Sequence, residues 1–163
     1  MNQNAAELKN ILAEELSIYQ KLLSLAKDKT KFLVDRKLTK LQETVAEEEN
    51  LVQRLVELEP SRQEQVLAIV GKPTIKLEVL VEKLSDESIK NGLIEIGSKL
   101  REVVEEIKVV NEGNQRLAQT GLEVAEQTIK IMTRVPKPVT YGPTGSNKNN
   151  NGLRGRSLLD FKA

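Results

Sequence analysis

The stretch IKNGLIEIGSKLREVVEEIKVVNEGNQRLAQTGLEVAEQTIKI, Ile89 to Ile131, decides the fold. Its seam residues recur at alternating spacings of four and three: Ile89, Leu93, Ile96, Leu100, Val103, Ile107, Val110, Asn114, Leu117, Gly121, Val124, Thr128 and Ile131. A repeat averaging about 3.5 residues keeps one seam of a helix turned towards a neighbour, so this segment packs along a partner helix in its own chain or in another. The three weak seam positions, Asn114, Gly121 and Thr128, all fall in its second half, where the seam changes character.

On a wheel turning about 100° per residue, most apolar side chains from Ile89 to Val110 fall within an arc of about 120°, Ile94 and Val109 excepted. That is wide enough for one packing surface. From Leu117 to Met132 the arc broadens to about 180° and includes Leu117, Ala118, Gly121, Leu122, Ala125, Ile129 and Met132. One neighbour in the same chain does not readily bury all of it. Ala118, Gly121 and Ala125 cluster on one face and let another helix come close, with Leu122, Ile129 and Met132 flanking them. A helix-interior Gly costs about 1 kcal/mol against Ala, while burying four aliphatic side chains yields about 1.5 to 3 kcal/mol each, so close approach outweighs the cost. The pattern suits a groove that receives a helix; packing on the first helix or in a homodimer is the alternative that periodicity leaves open.

Working upstream, Asn4 with Glu7 three residues later reads as a capping-box start. Apolar residues then follow a helical period from Leu8 to Leu33, giving a first helix of about 28 residues and about 40 Å. Asp35 is positioned to cap a second helix, whose stripe runs Leu38, Leu41, Val45, Val52 and Leu55, interrupted by Glu48. The short Val34 to Arg36 connection favours antiparallel neighbours, with one bent continuous helix as the other option. Pro60 lacks an amide hydrogen and is expected to kink the second helix or open a separate turn from Ser61 to Val70. Gly71 and Pro73 end that run, Ile75 to Leu84 forms a short amphipathic helix, and Ser85, Asp86 and Glu87 supply the cap and dipole partners of the last one. The last helix then extends to about Met132, roughly 70 Å unless Asn111 to Asn114 bends it. The expected fold is all-α: an elongated antiparallel bundle or coiled coil of three to four helices over residues 1–133, carrying a mobile C-terminal tail.

The tail, residues 134–163, turns abruptly to Pro, Gly, Asn and Ser, with Asn149, Asn150 and Asn151 in a row. It holds six cations against one anion, a net charge of +5, leaving −4 on the other residues of a chain whose total is +1. Its cations are scattered and no aromatic platform is interleaved, so a solvated tail is favoured over a nucleic-acid arm. Leu158, Leu159 and Phe161 at its end read as a frayed terminus, or as a short docking element.

The 163 residues include no Cys, His or Trp and only two Phe and two Tyr, which removes thiol chemistry, imidazole bases and the commonest zinc ligands. Glu47 to Glu49 is a solvated helical face rather than a cation loop, and Gly142, Gly145 and Lys148 lack the spacing of a phosphate loop. No enzyme activity and no cofactor are expected. Neither a secretory signal nor an apolar run of the roughly 18 residues that span a bilayer is present, so a cytosolic protein without membrane insertion is expected.

Several positions together resemble the FlgN-type flagellar export chaperone family. They are Leu16, Tyr19, Leu22 and Leu23; Leu38, Leu41, Glu47 to Leu51, Leu58, Glu59 and Arg62; Asn111, Asn114 and Leu117; Tyr141 to Gly145; and Asp160, Lys162 and Ala163. The resemblance covers nearly the whole length and rests on the order of these residues rather than on one motif. It implies a bacterial cytosolic chaperone that binds hook-filament junction proteins, shields their terminal amphipathic helices and delivers them to the flagellar type III export gate. It also implies that the C-terminal part holds the client. The expected client contacts here are Asn114, Leu117, Ala118, Gly121, Leu122, Ala125, Ile129 and Met132, with Tyr141 as a candidate contact for the export gate.

Overall fold

A computed structural model describes residues 1–133. Four helices follow one another: α1 (Asn2–Val34), α2 (Leu38–Val70), α3 (Leu77–Glu82) and α4 (Glu87–Thr133), and no strand occurs among the described residues. The all-α bundle expected from the sequence is therefore the fold.

Helix α1 is the centre of the molecule, packing against α2 and against α4, while α2 and α4 do not pack on each other. Side-chain pairs give the directions. Arg54 bonds Glu14 at 2.7 Å and Lys29 meets Glu48 at 2.8 Å, so positions rising along α1 meet positions falling along α2, and the pair is an antiparallel hairpin. Against α4 both rise together: Lys9 lies beside Gly92, Lys27 pairs with Glu106 at 2.9 Å, and Asn114 bonds the carbonyl of Ala26. Helix α4 is thus parallel to α1 and antiparallel to α2. Leu8 and Leu12 of α1, Leu80 of α3, and Leu93 and Leu100 of α4 are fully enclosed. A methyl group at Gly97 would collide with the Leu77 side chain, so the missing side chain is what lets α3 lie on α4.

The helix ends differ from expectation in instructive ways. Helix α1 begins at Asn2 with Met1 as its N-cap, without a side-chain capping bond; Glu7 instead accepts from Gln3 at 3.4 Å. Asp35 does not cap α2. It closes α1, after which Arg36 turns left-handed at φ 55, its N–H bonding Leu33 O and the Lys37 N–H bonding Phe32 O. This paired closure satisfies the last carbonyls of α1 and reverses the chain. Of the two expectations for Pro60, the separate turn is not formed, because α2 is continuous from Leu38 to Val70 with Pro60 inside it. Gly71, left-handed at φ 73, terminates it with a bond to Leu67 O. Before α4 the capping oxygen is Asp86 Oδ1, which accepts from the N–H groups of Ser88 and Ile89 at 3.0 and 3.2 Å. Asn111 to Asn114 does not interrupt α4, which is one helix of 47 residues.

Charge is also buried in the hairpin. Glu15, only 3% exposed, lies on the inner side of α1, 3.8 Å from the Arg62 guanidinium, whose closer carboxylate is Glu59 at 2.8 Å. Desolvation raises its pKa to about 7, the nearby Arg62 charge opposing and Glu59 and Glu14 adding to the rise. Glu15 Oε2 has no hydrogen-bond partner among the described residues. Tyr19, one turn on, has its pKa pushed up to about 12, chiefly by burial.

Candidate functional site, an uncovered helix face

Helix α4 is longer than the helix it lies on. Asn114, 6% exposed, sits at the last seam position that α1 covers: its Nδ2 donates to Ala26 O at 2.9 Å and its Oδ1 accepts from the Thr30 hydroxyl. One further turn of each helix brings α1 to its end at Val34 and α4 to Ala118. The remainder of α4, out to Thr133, extends about 24 Å past the hairpin. Every residue from Gln115 to Thr133 is exposed.

The exposed segment is not polar. Leu117, Leu122, Val124, Ile129, Ile131 and Met132 are large apolar side chains in solvent, with Leu122 at 53%, Ile129 at 52% and Met132 at 77% exposure. Leu117, Ala118, Gly121, Leu122, Ala125, Ile129 and Met132 share an arc of about 140° on a helical wheel, and Asn114 falls near its middle. The vacant face is therefore the straight continuation of the track that α1 fills. Nothing lies within 4 Å of where a Gly121 side chain would be, so the close approach that its small size permits is not made within the chain.

Seven of the eight residues expected to contact a client thus share one uncovered face. The eighth, Asn114, does not: it is buried against α1 and serves the internal interface, because a seam amide can be satisfied by a neighbouring carbonyl and hydroxyl. Tyr141 and the proposed tail domain of residues 134–163 lie outside the described residues. Helical periodicity does not mark the hairpin tip beside this face. There Val34 and Leu38 are 63% and 66% exposed among Lys31, Arg36, Lys37 and Lys40, all in solvent. The run KDKTKFLVDRKLTK, residues 27–40, with six cations against two anions, was its available signal.

An aliphatic helix face that continues past its own bundle is the kind of surface on which an amphipathic helix of another chain can lie. The chain matches the family model described as FlgN protein over residues 1–149 and belongs to the FlgN family, a family of flagellar export chaperones and not of enzymes. Chaperones of this family bind flagellar hook-associated proteins. No curated protein and no solved structure matches the chain. No described helix is long and apolar enough to cross a membrane.

Proposed function

We propose that this protein is a cytosolic bacterial chaperone for hook-filament junction proteins and that it holds them on α4 from Leu117 to Met132. The observation that carries this reading is the row of large aliphatic side chains left in solvent where α4 outruns α1. A terminal amphipathic helix of the client would lie on Ala118, Gly121 and Ala125, with Leu117, Leu122, Ile129 and Met132 closing on its apolar stripe. Covering that stripe prevents premature assembly and aggregation before export. The work is done by burial, without a cofactor and without bond making. Delivery to the type III export gate follows, with Tyr141 as its contact.

The test replaces Leu122→Asp together with Ile129→Asp. Both positions are exposed, so helix content by circular dichroism stays at the wild-type level while co-purification with a junction protein is lost. Retention of the client by the folded double variant contradicts the proposal. A homodimer that persists at low concentration and gains no stability from client peptide would favour a self-paired structural protein instead.

A further inference from the structure

The vacant face has two unlike ends. Its inner end abuts the α1–α2 hairpin tip, whose residues 27–40 carry a net charge of +4. Two of the cations are used inside the fold, Lys27 by Glu106 and Lys29 by Glu48. Lys31 reaches only Asp28, at 3.9 Å, and Arg36, Lys37 and Lys40 make no ion pair among the described residues. Lys40 Nζ instead lies 6.0 Å from the centre of the Phe32 ring. Arg36 occupies a left-handed backbone position at φ 55 where Gly or Asn is the less costly residue. Along the outer half the charged residue nearest the face on a helical wheel is Glu126, about 40° past its edge at Leu122, while Glu123 and Lys130 lie on the opposite side of α4. A helix laid along it therefore meets positive charge at the inner end and little charge along the rest.

We propose that the helix received by α4 runs antiparallel to it, with an acidic C-terminal end seated on Arg36, Lys37 and Lys40. This inference rests on the client reading above and adds a direction and a charge pattern to it. A helix carries about half a negative charge at its carbonyl end and half a positive charge at its amide end, so the antiparallel placement brings the carbonyl end to the cations of the tip. The C-terminus of α1 carries its own half negative charge at the tip, and the unpaired cations there outweigh it. Other occupants fit less well. The chain's own residues 134–163 hold a net +5, and a second copy docked through the same face would present no carboxylate from that face to these cations.

The experiment uses the full chain and two designed amphipathic peptides of about 18 residues, matched to the length of the vacant face. Their Leu stripe and composition are identical; one carries a Glu cluster in its last turn and the other carries it in its first. Binding is read by fluorescence anisotropy at low ionic strength, about 50 mM. The C-terminal cluster is expected to bind about fivefold tighter, although acid at that end weakens the isolated helix, so peptide helicity acts against the effect. The preference falls to about onefold in the triple variant Arg36→Gln, Lys37→Gln and Lys40→Gln. If that variant fails to fold, Lys37→Gln with Lys40→Gln, which spares the left-handed position, is required to reduce the preference at least twofold by the same measure.

Equal affinities, a reversed preference, or a preference indifferent to these substitutions overturns the direction. If binding in those cases is still lost in the Leu122→Asp and Ile129→Asp protein, the client reading survives and only the direction falls. Failure of both peptides to bind, or binding that ignores that double variant, removes the client reading and this inference with it.

Discussion

Asn114 of α4 reaches across to α1 and donates from Nδ2 to the Ala26 carbonyl at 2.9 Å, at the point where the covered part of α4 gives way to the uncovered part. The Thr30 hydroxyl donates to its Oδ1, so both ends of the amide are engaged. A polar seam residue satisfied in this way fixes the register of two helices that aliphatic contacts alone would allow to slide. It also sets how much of α4 extends past Val34.

Asn114→Ala is expected to lower stability by about 1 to 2 kcal/mol in urea denaturation, since it leaves the Thr30 hydroxyl partly unsatisfied. Client affinity per folded molecule changes less than about twofold on the same scale. An unchanged unfolding midpoint with client binding abolished would return Asn114 to the client face.

Gly97 and Gly121 separate the two uses of a small residue in α4. Gly97→Ala pushes into Leu77 and is expected to destabilise the protein as α3 shifts. Gly121→Ala meets nothing within 4 Å and gains helix propensity, so it is expected to raise stability by up to about 1 kcal/mol and to weaken client binding. Thermal unfolding and a client titration on both variants check this, and a destabilised Gly121→Ala protein would show that the face is already covered.

Glu15 makes stability depend on pH. Its folded pKa, raised from 4.5 to about 7, lies above its unfolded value, so its contribution is fully present below pH 4.5 and is lost as pH rises through 7. The span corresponds to roughly 3 kcal/mol. Glu15→Gln is expected to flatten the profile, raising stability at pH 8 by an amount of that order and having little effect at pH 4.5. Urea midpoints at the two pH values decide it; equal shifts at both would show that burial does not penalise the charged form.

The four-three spacing of α4 is legible because a long helix with one neighbour writes that neighbour into its sequence as a seam. The widened arc after Leu117 is legible for the complementary reason, since the neighbour stops while the apolar residues do not. Asn114 reads ambiguously because a seam amide looks alike whether it meets a partner or an internal carbonyl, and only the offset between α1 and α4 decides. Burial of Glu15 is hidden in a stripe that includes Leu12, Leu16 and Tyr19, because its cation, Arg62, lies on another helix. Asp35 misleads for a local reason: the left-handed Arg36 places the chain reversal one residue beyond the acid.

The described part of the chain contains no cysteine, and neither does the full sequence, so one thiol can report on α4 directly. The decisive measurement is the labelling rate of Leu122→Cys with and without a junction protein, set against Val109→Cys, an exposed position on the covered half of α4. The account predicts that both thiols react as exposed groups in the free chain and that adding the junction protein slows position 122 at least about tenfold, leaving position 109 unchanged. A thiol at 122 already protected in the free monomer, or one reacting equally fast in the complex, would contradict it.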